Sequence, residues 1–344
     1  MSFSDTFDPA KAVLTGPGSA VSNREDLTDV MTILAPEETP VLSSASKQKA
    51  SSTFVEWTVD TLASPSTSGV SEGADVTAFT DKFASRARLG NFTQKFRRDY
   101  MVSDLQEAVD SVGPAKVAQA EAKAIRELKR DIEATLCSAN QRSAENGAGT
   151  PYALRGLGQW LSGAADADVP ANFRTPGSSI YTTAEANNTA FTESALNDII
   201  SSIYRETGST NSLTLVADTG LRRVISDFAR FGAAGTAASE AGVRSVNYDG
   251  NSAQIKLSVE LYQSDHGIVS IVNGNPDCMP NFGGNTSDSS GYLVNPEYYG
   301  IHELIPMGST RLPNLGGGER GFVDCALTLG MYQPQAHGLI QDVT

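Results

Sequence analysis

The chain has 344 residues, and its 40 acidic against 26 basic side chains give a formal net charge of -14. That balance excludes a protein that holds nucleic acid through a broad Lys/Arg surface, and 40% apolar with 19% charged residues excludes a disordered or fibrous chain. Cys137, Cys278 and Cys325 are far apart and form no CxxC pair, which fits a reducing cytoplasm and no zinc ribbon; with no leader-like start and no membrane-length apolar run, neither secretion by that route nor a membrane span is expected.

Residues 1–52 are polar and acidic, with Leu27, Val30, Met31 and Leu34 at helical spacing ahead of Pro36. This segment reads either as an arm carrying one short helix or as a surface helix of the parent domain. Val55, Trp57 and Val59 then alternate with Phe54, Glu56 and Thr58, which predicts a strand. Residues 61–80 are crowded with Ser, Thr, Gly and Pro and have almost no apolar periodicity, so they read as a long flexible tip. A second strand follows over residues 87–102, and residues 53–102 together predict one long hairpin. A lone hairpin is marginal in water. Its aromatics Phe54, Trp57, Phe92, Phe96 and Tyr100 fall on both faces, so a second chain is expected to cover part of them.

Ser103 and Gln106 form a capping box at the start of a short helix. Pro114 opens a helix expected over residues 114–140, roughly 40 Å long at its full extent. Its apolar stripe is Ala118, Ile125, Leu128, Ile132 and Leu136, flanked by Lys123, Arg126, Glu127, Lys129 and Arg130. Asp131 and Glu133 read as part of that helix's solvated face, not as a general acid and base. Residues 138–179 are punctuated by Gly, Asn and Pro and mark a domain boundary. An α/β segment follows. Thr192 caps a helix with Leu196, Ile199, Ile200, Ile203 and Tyr204 on one face, Gly208 stops it, LTLVAD is a buried strand, and Leu221, Val224, Ile225 and Phe228 line a second helix ending at Gly232. Ile255, Leu257, Val259 and Leu261 alternate with polar residues before an SDHG turn into IVSIV, which predicts another hairpin. Val323, Cys325, Leu327, Leu329 and Met331 share one side of a late strand.

Signals for chemistry are weak. Ser44 and Lys47 form an SxxK string of the kind some serine acyltransferases use, but no SDN or KTG companion follows; a cytoplasmic serine hydrolase is kept only as a distant alternative. GxSxG, GxxxxGK[ST] and HExxH are all missing, and LGGGERG at residues 315–321 reads as a turn. His266, His302 and His337, with Asp265 and Glu303 beside two of them, lack the local spacing of a metal site. No catalytic, cofactor or metal residue is assigned. The remaining feature is basic: Lys82, Arg86, Arg88, Lys95, Arg97 and Arg98 lie among aromatics that could stack on bases. Lys95 and Arg97 have the opposite strand parity from Arg98, which divides the charge between two faces and argues against a groove for one nucleic-acid strand. Residues 1–80 hold 11 acidic against four basic side chains, so complementarity between chains of a homo-oligomer is the better expectation.

The strings REDLTDVMTILAPEETPVLS, EWTVDTLA, SEGADV, NFTQKF, ELKRDIEATL, RGLGQWL and AHGLI, in that order from Arg24 to Ile340, resemble the major head (capsid) proteins of tailed bacteriophages. The resemblance implies an α+β chain with the Johnson fold of tailed-phage and herpesvirus shells. On that pattern residues 1–50 are the N-terminal arm, 51–102 the elongated hairpin loop over a neighbouring subunit, 103–180 the peripheral domain with its spine helix at 114–140, 181–300 the axial domain, and 301–344 the return strands of the peripheral domain. The implied function is self-assembly, as pentamers and hexamers, into an icosahedral shell around phage double-stranded DNA, without enzymatic activity, cofactor or membrane. Subunit-interface residues are then Phe54, Trp57, Arg86, Arg88, Phe92, Phe96, Arg97, Arg98 and Tyr100. Portal, scaffolding and decoration proteins are the implied partners, with non-specific proximity to the packaged DNA; the virion is the implied location, after assembly in the host cytoplasm. No coiled-coil scaffolding segment is seen at the N-terminus, so scaffolding is expected to be a separate protein, and no cross-linking residues are nominated. The alternative with the same fold is an encapsulin-like compartment shell.

Overall fold

The computed structural model describes residues 37–109, 116–147, 149–164, 166–182, 191–208, 210, 212–228, 245–248, 253–256, 260–279 and 290–341. The amphipathic piece at 24–34, the Pro114 helix start, Gly232 and the strand positions Leu257 and Val259 lie outside the described residues.

Two sheets carry the fold. In the four-stranded one, β1 (Ser46–Lys49) runs parallel to β12 (Tyr299–Leu312), which pairs antiparallel with β13 (Glu319–Met331), which pairs antiparallel with β4 (Gln94–Val102). The period-two pattern of β13 does what its sequence dictates: Val323, Cys325, Leu327, Leu329 and Met331 are all buried. The long helix α3 (Lys116–Cys137) lies against β4 and β13. Its buried row is Ala124, Leu128, Ile132 and Leu136, while Ala118 is exposed and Ile125 half-buried. A row spaced by four residues follows one ridge of the helix, and that ridge excludes Ala118 and Ile125 from its centre.

The expected single hairpin is two structures in series. Strand β2 (Phe54–Val59) pairs antiparallel with β3 (Ala87–Phe92), from Phe54↔Phe92 to Val59↔Ala87. After Thr93 the chain leaves β2, and β4 continues in the four-stranded sheet. The buried amide of Asn91 marks the change. Its Nδ2 donates to the carbonyls of Leu329 at 2.9 Å and Arg155 at 3.2 Å, and its Oδ1 accepts the backbone N–H groups of Arg155 at 2.8 Å and Phe92 at 3.0 Å. Gly90 is required beside it, because a Cβ there would stand 2.7 Å from the Phe54 ring.

The second sheet has the order β5 (Ile180–Thr182), β14 (Gly338–Gln341), β11 (Gly291–Val294), β6 (Leu213–Ala217), β10 (Gly267–Asn273), β9 (Leu261–Ser264). Helices α5 (Glu193–Thr207) and α6 (Thr219–Phe228) close one face over Leu213, Leu215, Val269, Ile271, Leu293 and Ile340. Thr192 caps α5 by accepting the Ala195 N–H at 3.3 Å, and Gly208 ends it with φ 70°. Tyr204, expected in the buried stripe, is exposed and stacks on His266 instead. On the opposite face Val216, Tyr292, Val294 and Leu339 join the core beneath the four-stranded sheet, so one apolar core links both sheets. Within residues 301–344, which the resemblance groups as return strands of the peripheral domain, β12 and β13 belong to the four-stranded sheet and β14 to the six-stranded one. Of the run read as one strand from Ile255 to Leu261, Ile255 lies in β8 (Ala253–Lys256), which pairs with β7 (Ser245–Tyr248), and Leu261 opens β9.

Glu133 is the clearest departure from a solvated helix face. It is 1% exposed, and its carboxylate accepts the backbone N–H groups of Val41 and Leu42 at 2.9 Å each, at the start of α1 (Pro40–Ser44). Burial raises its pKa against those two hydrogen bonds. Replacing Glu133 with Ala leaves the buried Val41 and part-buried Leu42 N–H groups unpaired, and urea unfolding should register a loss of about 2–4 kcal/mol. A loss below about 0.5 kcal/mol would mean that water reaches α1.

His337 is fully buried and neutral, its Nδ1 accepting the Asn295 N–H at 3.1 Å; burial pushes its pKa down to about 3. The unfolded chain, with an ordinary imidazole near 6.5, binds one more proton between those values. This contribution to stability is therefore complete above pH 6.5 and falls, by up to about 1.4 kcal/mol per pH unit, as pH drops towards 3. The wild-type chain should lose about 2 kcal/mol more than His337→Asn between pH 6.5 and 5, measured by urea midpoints.

Candidate subunit interface

The residues considered for chemistry have structural partners. The Ser44 hydroxyl lies 2.6 Å from the Tyr299 hydroxyl and 2.7 Å from the Pro40 carbonyl, while Lys47 pairs with Glu303 at 3.1 Å, so the SxxK string makes no nucleophile and base pair. His266 sits on the β9–β10 turn, His302 on β12 beside the Tyr332 hydroxyl, and His337 in the core; among the described residues no cluster of His, Cys, Asp and Glu could hold a metal. Burial raises the pKa of all three thiols, to about 11 for Cys278 and about 12 for Cys325, which keeps them protonated.

The aromatic residues expected to meet a neighbour are largely covered by their own chain. Phe96 and Tyr100 point from β4 into the core shared with α3. Trp57 packs against Trp160 at 5.9 Å and Tyr332 at 6.0 Å; Phe54 meets Phe92 in a tilted ring pair at 4.6 Å, and Phe92 meets Tyr152 in another at 5.6 Å. The expectation that one protein face could not cover both parities missed two things. The strand changes partner at Thr93, and the segment from Tyr152 to Trp160 meets the hairpin root. Trp160 also lies under the buried Arg155 guanidinium, 4.5 Å from its ring, and Arg155 pairs with Asp166 at 2.6 Å.

The basic residues divide by face. Arg98 shares its face with Phe96 and Tyr100 and reaches α3, donating to both Asp131 carboxylate oxygens at 2.6 and 2.7 Å. Those hydrogen bonds raise its pKa further above the ordinary guanidinium value. On the outer face Lys95 pairs with Asp324 at 3.0 Å, and Arg97 lies 5.1 Å over the Phe322 ring. Arg86 bonds Asp60 at 2.9 Å, and Arg88 is exposed on β3. Of the four arginines nominated for intersubunit pairing, Arg86 and Arg98 thus already have carboxylate partners in their own chain.

Sequence reasoning passed over the most exposed apolar surface. Residues 62–84, the arm between β2 and β3, are exposed throughout, and they present Leu62 at 99%, Phe79 at 90%, and also Val70, Val76 and Phe83. Large apolar side chains standing inside an otherwise polar, aperiodic loop were the available signal. A second exposed apolar group, Met101, Leu105, Val109, Leu312 and Leu315, lies around the far ends of β4 and β12.

Among the described residues the arm thus carries the most exposed large apolar side chains. The sequence profile of the SU10 major capsid protein family matches residues 12–344. The chain belongs to this family. No curated protein sequence matches it. Among solved structures, the capsid of cyanophage A-1(L) is similar at 16% identity and a TM-score of 0.63, covering 94% of this chain and 97% of that one. The capsid of cyanophage P-SCSP1u is similar at 15% identity and 0.56, covering 98% and 99%. The SrpI encapsulin of Synechococcus elongatus PCC 7942 shares the fold at 12% identity and 0.52, covering 98% and 96%.

This family member therefore has the Johnson fold that its sequence pattern implies, and it is a head-shell protein of the virion. No helix among the described residues is long and apolar enough to cross a membrane.

The division of the arginines separates two variants of the capsid protein. Arg98→Glu removes a bidentate ion pair and sets a carboxylate against Asp131, so it should lower the stability of the unassembled chain by about 1 kcal/mol. Arg97→Glu changes only the outer face and should stay within about 0.5 kcal/mol of wild type. Equal effects in denaturant unfolding would contradict the assignment of Arg98 to the helix side.

Proposed function

We propose that the chain builds a closed icosahedral phage head from pentamers and hexamers of itself, with packaged double-stranded DNA inside. The observation that carries this reading is the arm at residues 62–84. Among the described residues its large apolar side chains all stand exposed, and a sister subunit of the same family fold is the partner that a shell supplies. Several large apolar side chains exposed on one projecting loop favour an interaction site there. Arg88 and Arg97 are the nominated cations that remain for acidic surfaces of neighbouring copies. The excess of 40 acidic over 26 basic residues favours loose enclosure of DNA over a tight phosphate-binding lining.

In this reading the role is structural. Portal, scaffolding and decoration proteins complete the head, and assembly takes place in the host cytoplasm, which suits a chain with three buried free thiols. An encapsulin-like compartment uses the same fold, as the SrpI likeness illustrates. Membership in a phage capsid family favours the head shell, and particles with a portal vertex rather than uniformly closed ones distinguish the two.

The test is to express the wild-type chain and a chain whose residues 62–84 are replaced by a short Gly/Ser linker, each with its candidate scaffolding protein, and to image the products. Wild type should give shells and the linker chain soluble subunits with an unchanged unfolding midpoint. Shells of normal shape and yield from the linker chain would defeat the arm's role.

A further inference from the structure

Asp60 stands where the β2–β3 ladder ends, one residue past the Val59↔Ala87 pair and just before the exposed arm. Its carboxylate accepts three hydrogen bonds: from the Ser85 hydroxyl at 2.7 Å and the Thr61 backbone N–H at 2.9 Å on Oδ1, and from Arg86 Nε at 2.9 Å on Oδ2. Arg86 in turn lies 4.0 Å over the Phe83 ring, and its backbone N–H donates to the Phe83 carbonyl at 3.1 Å. This one group of contacts joins the outgoing end of the arm, residues 60–61, to the returning end, residues 83–86. Beyond it residues 62–84 are open to solvent, so no packing against the body fixes the direction in which the arm leaves.

We propose that Asp60, Ser85 and Arg86 form a clasp that aims the arm at the neighbouring copy, which makes Arg86 a positioning residue for shell assembly rather than a contact to a neighbour's acidic surface. This rests on the reading of residues 62–84 as an intersubunit arm. An arm hinged only on two strand ends samples many directions, and the apparent affinity of one copy for the next falls in proportion to the fraction of arms that point correctly. Exposed ion pairs add little to the stability of a fold. Loss of the clasp is therefore visible in arm motion and assembly while the unfolding midpoint stays where it was.

The experiment compares wild type, Asp60→Asn, Arg86→Gln, the exchanged pair Asp60→Arg with Arg86→Asp, and the linker chain that lacks residues 62–84. Unfolding midpoint and chymotrypsin cleavage within the arm are measured on unassembled subunits, and particle formation by light scattering and electron microscopy. The single variants should keep the wild-type midpoint, be cleaved about threefold faster or more, and form particles about fivefold slower or more; the exchanged pair should recover most of both rates. Single variants that assemble at the wild-type rate while the linker chain fails would overturn the clasp and leave the arm reading standing. An exchanged pair as slow as the singles would also overturn it, because charge pairing would not be the agent. A linker chain that assembles normally removes the arm reading and the clasp with it.

Discussion

The fold depends on one buried amide. Asn91 uses its two donors and its acceptor oxygen on the backbones of three segments, two of them remote in sequence: Leu329 in β13, Arg155 before the short helix at 157–161, and its own neighbour Phe92. A side chain with this capacity can close off the backbone groups that a strand exposes when it changes partner. That is what lets β3 serve the projecting hairpin while β4, one residue further on, serves the core sheet. Without such a junction the arm and the body would need separate strands and a linker between them.

The charges follow the same division into a core side and an outer side. Asp131 takes Arg98 at the edge of the core, Glu133 takes two backbone donors in its interior, and Arg155 meets Asp166 beneath the hairpin root. These residues hold elements of one chain together. Lys95, Arg97 and Arg88 lie on the other side, at the surface. In a chain so rich in acids, several cations that first look available for a partner are already used internally, because a carboxylate within reach neutralises a half-buried guanidinium at little cost.

Most large apolar side chains of the described body lie in two packed clusters, one of them shared by both sheets, whereas those of the arm stand exposed. A sequence that carries Leu62, Val70, Val76, Phe79 and Phe83 on an uncovered loop is incomplete as a monomer in a physical sense: the area excluded from water is still to be supplied.

The sequence by itself determined the local elements whose cause is local: the β13 alternation, the Thr192 cap, the Gly208 stop, the Ser103 cap that accepts the Gln106 N–H, and the turn between β9 and β10. The order of its motifs also carried the family and the fold. Tertiary structure alone decided which faces were already occupied. The partners of Glu133 and Arg98, and the remote partners of Asn91, lie 33 to 238 residues away along the chain, and no spacing rule reaches that far. The same holds for the broken hairpin and for β14 joining the six-stranded sheet, since strand pairing at long range is set by which edges and faces the packed core leaves open, not by the strand's own pattern. For the site, the sequence nominated residues between Phe54 and Tyr100 as subunit contacts. Of those residues Phe96 and Tyr100 enter the chain's own core and Arg86 and Arg98 meet its own carboxylates, while Arg88 and Arg97 stay at the surface.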